Sequence, residues 1–213
     1  MILLIGVALA GFLAFAQYWG LFIAPPDRMM GDLYRILFVH VPAAWMTMLF
    51  FFMSFVGCIL YLIRRKIFWD RFAACTAEIA LVLNLLALGL GSLWGKPVWG
   101  VWWTWDPRLT TTALLFIMYC GYMIFRSLIS DPERLPKYAA SVGLLLFLNV
   151  PIVYLSVRWW RSLHQVQSSP STMASSMVIP LRLNSFALLF CCILLLVIRM
   201  RLAKRQSLKE SLP

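Results

Sequence analysis

Six stretches of predominantly apolar residues, each close to the roughly 20 that an α-helix needs to cross about 30 Å of hydrocarbon, run through this chain. They cover residues 2–23, 41–63, 72–93, 110–125, 138–157 and 177–198, and the fourth is the shortest, borrowing threonines at its start. The intervals between them are too short for a separate soluble domain. The expected fold class is therefore all-α: a polytopic membrane protein with six transmembrane helices, residues 1–213 forming one integral-membrane unit. Composition agrees, because 62% apolar and only 13% charged residues exceed what a water-soluble domain of this size hides within itself.

The net charge of +11 is not the footprint of a nucleic-acid binder, since the basic residues lie between and after apolar runs rather than on one folded face. They report orientation instead. With a cytoplasmic amino terminus, the cytoplasmic segments carry Arg64, Arg65, Lys66, Arg71, Arg126, Arg134, Lys137, Arg199, Arg201, Lys204, Arg205 and Lys209, and the opposite segments carry Arg28, Arg35, Lys96, Arg108, Arg158, Arg161 and Arg182. The positive-inside rule then favours both termini inside and segments 24–40, 94–109 and 158–176 outside, which in a bacterial inner membrane is the periplasmic side. Ala14-Phe15-Ala16 has the look of a cleavage site, but no basic region precedes the first apolar run, which is kept as a helix. All five cysteines fall inside apolar runs, which excludes a disulfide framework, a CxxC zinc pair and a CxxCH haem-attachment site.

The three periplasmic segments hold the unusual chemistry. Between the third and fourth spans lies WGKPVWGVWWTWDPRLT, where Trp94, Trp99, Trp102, Trp103 and Trp105 crowd around Gly95 and Gly100. An aromatic belt populates both membrane interfaces. Here Trp19, Trp45, Trp159 and Trp160 map to the same side as the block, and Trp69 alone maps to the other. A one-sided cluster of indoles interleaved with glycines reads as a flat apolar platform for a large planar ligand such as a porphyrin. Lys96 and Arg108 can pair with carboxylates, and Asp106, ahead of Pro107, suits structural support of the loop.

His40 and His164 are the only histidines, and the topology puts both at the periplasmic boundary. Neutral imidazole is a common axial ligand to haem iron, and two imidazoles from separate segments suit a six-coordinate site. His40 stands at the start of the second span just before Pro42; in RWWRSLHQ, helical spacing would put Trp160 and His164 on one face of a short interfacial helix. Arg35 and Arg108, then Arg158 and Arg161, are the candidates for pairing with anionic haem propionates.

With these residues assembled, the chain resembles the CcmC family of haem-handling membrane proteins across all six spans. The tryptophan block is similar to the WWD motif of that superfamily, and HVPAAW and RWWRSLHQ carry the rest of the likeness. The resemblance implies that haem b is transiently bound at the periplasmic face with His40 and His164 as axial ligands. It further implies partnership with the CcmA and CcmB transporter subunits, with CcmD, and with the haem chaperone CcmE, which receives the haem in cytochrome c maturation. Haem lyases of the same superfamily are larger and carry more histidines.

Competing classes have weaker support. For a solute or ion transporter the pointers are Glu78 and Asn84 in the third span, which have no evident intramembrane basic partner and suit local packing or hydrogen bonding between helices. A b-type electron-transfer cytochrome would place paired histidines within the bundle. No phosphate-cradling loop and no set of nucleophile, base and orienter marks a hydrolase or ATPase, so the expectation is a binding and transfer subunit rather than an enzyme.

Overall fold

A computed structural model describes residues 1–164 and 173–210, with side chains described through residue 207. Its helices are α1 (Ile2–Tyr18), α2 (Leu37–Arg64), α3 (Ile67–Trp99), α4 (Pro107–Leu128), α5 (Leu135–Phe147), α6 (Asn149–Trp159) and α7 (Ser175–Glu210). They form six segments long and apolar enough to cross a membrane, because α5 and α6 together make one span, Leu135–Trp159. The break at Leu148 has a covalent cause: Pro151 has no N–H to give to the carbonyl of Phe147.

Most spans run longer than expected, the third from Ile67, the fourth over Pro107–Leu128 and the last from Ser175 to at least Ser207, and three differences bear on the site. The second span starts earlier, because the 3₁₀ turn Asp32–Ile36 leads directly into α2 and leaves His40 inside the helix rather than at its start. The third runs on through Pro97 to Trp99, where Gly100, at φ 79°, ends it in the left-handed conformation that costs glycine little. Half of the supposed tryptophan loop is thus helix. Finally, among the described residues no interfacial helix follows the fifth span: α6 stops at Trp159, and residues 160–164 are irregular. Gln165 lies outside the described residues.

The central unit is the antiparallel pair α2 and α3. They approach closely where a Cβ on Gly57 would meet Ala73 at 3.0 Å, and where the Ser54 hydroxyl donates to the Ala73 carbonyl at 2.9 Å. Small residues at such a crossing let backbones pack where lipid supplies no hydrophobic drive between helices. Met46, Phe50, Phe51, Leu83, Leu115, Tyr119 and Val153 bury the core shared by α2, α3, α4 and α6. On the periphery, α1 packs chiefly on α7, and Asn184 ties the two by donating to the Ala16 carbonyl at 2.8 Å.

The two ends of the bundle differ in kind. One carries Met1, the end of α7 and the turns at 65–66 and 129–134; the other carries the tryptophan block and residues 24–36 and 160–164. At the first end, Arg126 donates to both Asp70 oxygens at 2.7 and 2.9 Å while lying 3.4 Å from the Tyr122 hydroxyl. Glu78 does have a basic partner: Arg199 of α7, 2.6 Å away. At the other end, Asp27 closes a turn by accepting the N–H groups of Met29 and Met30, both at 2.9 Å, and these bonds hold its carboxyl below the ordinary carboxylate range.

Candidate haem-binding cavity

The face of α3 that meets α2 carries Asn84, Ala87, Leu88, Gly91, Trp94 and Gly95, a helical spacing that lines one wall of a cavity of about 260 Å³. His40, Val41, Ala44 and Trp45 of α2 form the facing wall; Arg108, Thr112 and Leu115 of α4 and Val153 and Tyr154 of α6 close the sides. Trp99, Trp103, Leu163 and His164 complete it toward the end of the bundle.

The two histidines meet here. Their ring centres are 6.4 Å apart with planes 28° from parallel, although one rides on α2 and the other on the irregular stretch after α6. Indoles frame them edge-on: Trp94 lies 5.9 Å from the His40 ring and Trp99 lies 6.2 Å from the His164 ring. His40 is 8% exposed, and Gly91 makes room for it, since a Cβ there would sit 3.2 Å from His40 Cε1.

What places His164 is Asp106. Its carboxylate caps α4 by accepting the Arg108 N–H at 2.9 Å, with Pro107 at the first helical position. The same carboxylate accepts the Ser162 hydroxyl at 3.1 Å and the Leu163 N–H at 2.7 Å, and Ser162 Oγ in turn accepts the His164 N–H at 3.0 Å. One buried carboxylate thereby joins the tryptophan block to the histidine segment.

Buried polar atoms without a hydrogen-bond partner among the described residues concentrate around this cavity: His40 Nδ1, Asn84 Oδ1, Trp94 Nε1 and Arg108 Nε all belong to lining residues. Such atoms cost about 1–3 kcal/mol each when nothing pairs with them, and a cluster of them marks a place where a ligand or water is to be accommodated.

Other residues singled out in the sequence lie elsewhere. Trp102 and Trp105 are 56% and 82% exposed and do not line the cavity. Lys96 donates to the Gly100 carbonyl at 3.0 Å and stands 6.0 Å over the Trp102 ring, while Gly100 serves the turn. Arg35 is engaged away from the cavity by Asp32 at 2.8 Å and the Leu21 carbonyl at 2.7 Å. Arg158 and Arg161 are exposed outside it, leaving Arg108 as the guanidinium in the wall, where it reaches the Tyr154 carbonyl at 3.3 Å. Sequence reasoning missed Trp45, Asn84 and Gly91 as lining residues; the repeat of small and polar positions at 84, 87, 88, 91 and 95 was the available signal.

Fold and site define a class: a six-span helical membrane protein organised around a cavity of facing imidazoles and indoles. Comparison with known proteins narrows it. The family model described as "Heme exporter protein C" matches residues 1–211. Among relatives of that name, the Bradyrhizobium diazoefficiens protein is 37% identical over 190 residues, covering 86% of this chain and 72% of its own length. The Escherichia coli K12 protein is 35% identical over 184 residues, with 86% and 75% covered, and the Haemophilus influenzae protein is 34% identical over 196 residues, with 90% and 78% covered. The chain belongs to the CcmC family.

Proposed function

We propose that this protein binds haem b transiently between His40 and His164 and hands it on during cytochrome c maturation. The observation that carries the reading is the separation of the two rings. Two imidazoles bound to one iron from opposite sides have centres about 6 Å apart, given metal–nitrogen bonds of roughly 2 Å and about 1 Å more from each nitrogen to its ring centre. The rings stand 6.4 Å apart. Their surroundings suit the rest of the ligand: Trp94, Trp99 and Trp103 offer apolar faces and edges to a macrocycle, and Arg108 in the wall suits a propionate.

Relatives named for haem export support the cargo, and the family places the role in cytochrome c maturation. On this reading haem is cargo rather than a resident group, and the chain is a binding and transfer subunit with no hydrolytic step of its own. Its site faces the periplasm from the bacterial inner membrane, in the orientation that the basic residues favour, with both termini in the cytoplasm. CcmA, CcmB and CcmD are its membrane partners and CcmE is the acceptor of the haem.

Absorbance and EPR spectroscopy of the purified protein test the site directly. Two-imidazole ligation gives a low-spin haem signature, and His40→Ala and His164→Ala each abolish it while the protein still inserts. Unchanged spectra in both variants exclude axial ligation by these residues.

A further inference from the structure

A second cavity, about 850 Å³, opens at the tryptophan end between the 25–30 segment, Tyr34, Leu37 and the start of α7. Met30, Met173 and Met177 line it, Met29 stands 95% exposed at its mouth, and Arg28 is among its walls. Met30 and Trp94 belong to both cavities, so these two side chains are the partition between them.

The partition is built to yield. The Trp94 Nε1–H is buried without an acceptor among the described residues, so packing rather than a hydrogen bond sets the ring. Its helical turn is also loosened, since Pro97 has no N–H for the carbonyl of Leu93. Methionine on the far side is unbranched and polarizable, adapts to irregular shapes and makes favourable contacts with aromatic rings. A wall of thioethers therefore holds a flat apolar ligand without demanding one pose.

We propose that the methionine-lined cavity is a second station for haem, through which the macrocycle passes between the histidine cavity and water by displacing Trp94 and Met30. This rests on the haem reading above. Arg28 at this station faces the anionic edge of the ligand, and the Asp27 carboxylate is committed to the Met29 and Met30 N–H groups. The competing way out is sideways into lipid past Trp45 and Tyr154, which are 38% and 47% exposed.

The test uses haem-loaded full-length protein in lipid nanodiscs mixed with apomyoglobin, with transfer followed by absorbance. Ser176→Trp and Met177→Trp each fill the second cavity from the α7 side without touching the first. Both variants are expected to slow transfer by about tenfold, the range over which release rates respond to altered contacts, while the spectrum of bound haem stays that of the parent. Unchanged transfer in both overturns the passage in favour of the lipid side. Loss of the bound spectrum in both also overturns it, by making the second cavity part of the first. A parent protein that takes up no haem defeats the earlier reading instead, so the two failures are distinguishable.

Discussion

Toward the end of the bundle that holds Met1 and the end of α7, buried polar groups answer one another, Asp70 with Arg126, Arg126 with Tyr122 and Ser54 with the Ala73 carbonyl, the Tyr119 hydroxyl being the exception. At the tryptophan end, the same helices bury His40 Nδ1, Asn84 Oδ1, Trp94 Nε1 and Arg108 Nε with no partner among the described residues. The contrast separates two uses of polarity in a low-dielectric interior. Paired groups fix how α3 and α4 meet; unpaired groups cost stability and, on the proposed reading, keep their bonding capacity for the ligand.

The comparison is broken most severely by Asp70→Ala, which strands the Arg126 guanidinium in a buried site. The expected loss is about 3–5 kcal/mol of stability, read as a collapsed yield of folded protein and a lowered thermal midpoint in detergent. His40→Ala and His164→Ala act oppositely: haem affinity falls by on the order of 100-fold or more, since the metal loses a ligand outright, whereas the thermal midpoint of the haem-free protein stays near the parent value. A large destabilisation by either would contradict the division of labour. Asp106→Ala, at the tryptophan end, touches both stability and site, costing about 1–2 kcal/mol through the lost cap of α4. Because Ser162 and Leu163 are freed as well, EPR of its loaded form should show a mixture of ligation states, and a single parent-like signal would remove Asp106 from its positioning role. Gly91→Ala is milder: the new methyl meets His40 Cε1 at 3.2 Å, so the ring shifts by a few tenths of an ångström, and haem titration should report affinity lowered by about threefold to tenfold. Trp105→Ala is the smallest change, with affinity of the isolated protein within about twofold, since an exposed ring outside the cavity contributes little.

The spans were legible because a bilayer imposes its thickness on every crossing segment, and neither tertiary packing nor partner identity alters that demand. Their ends were not. The apolar run ends at residue 93, yet α3 carries on through Pro97 to Trp99, since a proline forfeits one backbone hydrogen bond without ending the helix here. The site was legible as a set of residue types and not as a set of contacts. That His40 and His164 lie at the same end of the bundle could be argued from the sequence; that their rings meet in one cavity depends on Asp106 gathering residues 162 and 163, a tertiary link with no local periodicity. Position 35 shows the converse. Its arginine has the right charge at the right end, but a neighbouring carboxylate and the Leu21 carbonyl claim it first.

The mounting of the two imidazoles is unequal. His40 is fixed in a 28-residue helix packed along its length, whereas His164 lies in the irregular stretch after α6, which the Asp106 carboxylate ties down through Ser162 and Leu163. If the proposed haem reading holds, a grip with one rigid jaw and one tethered jaw would open in sequence: the His164 strap would let go first while His40 kept its hold, and the position that His164 left would be open to the acceptor. Release in two such steps would need a lower barrier than simultaneous rupture of both bonds.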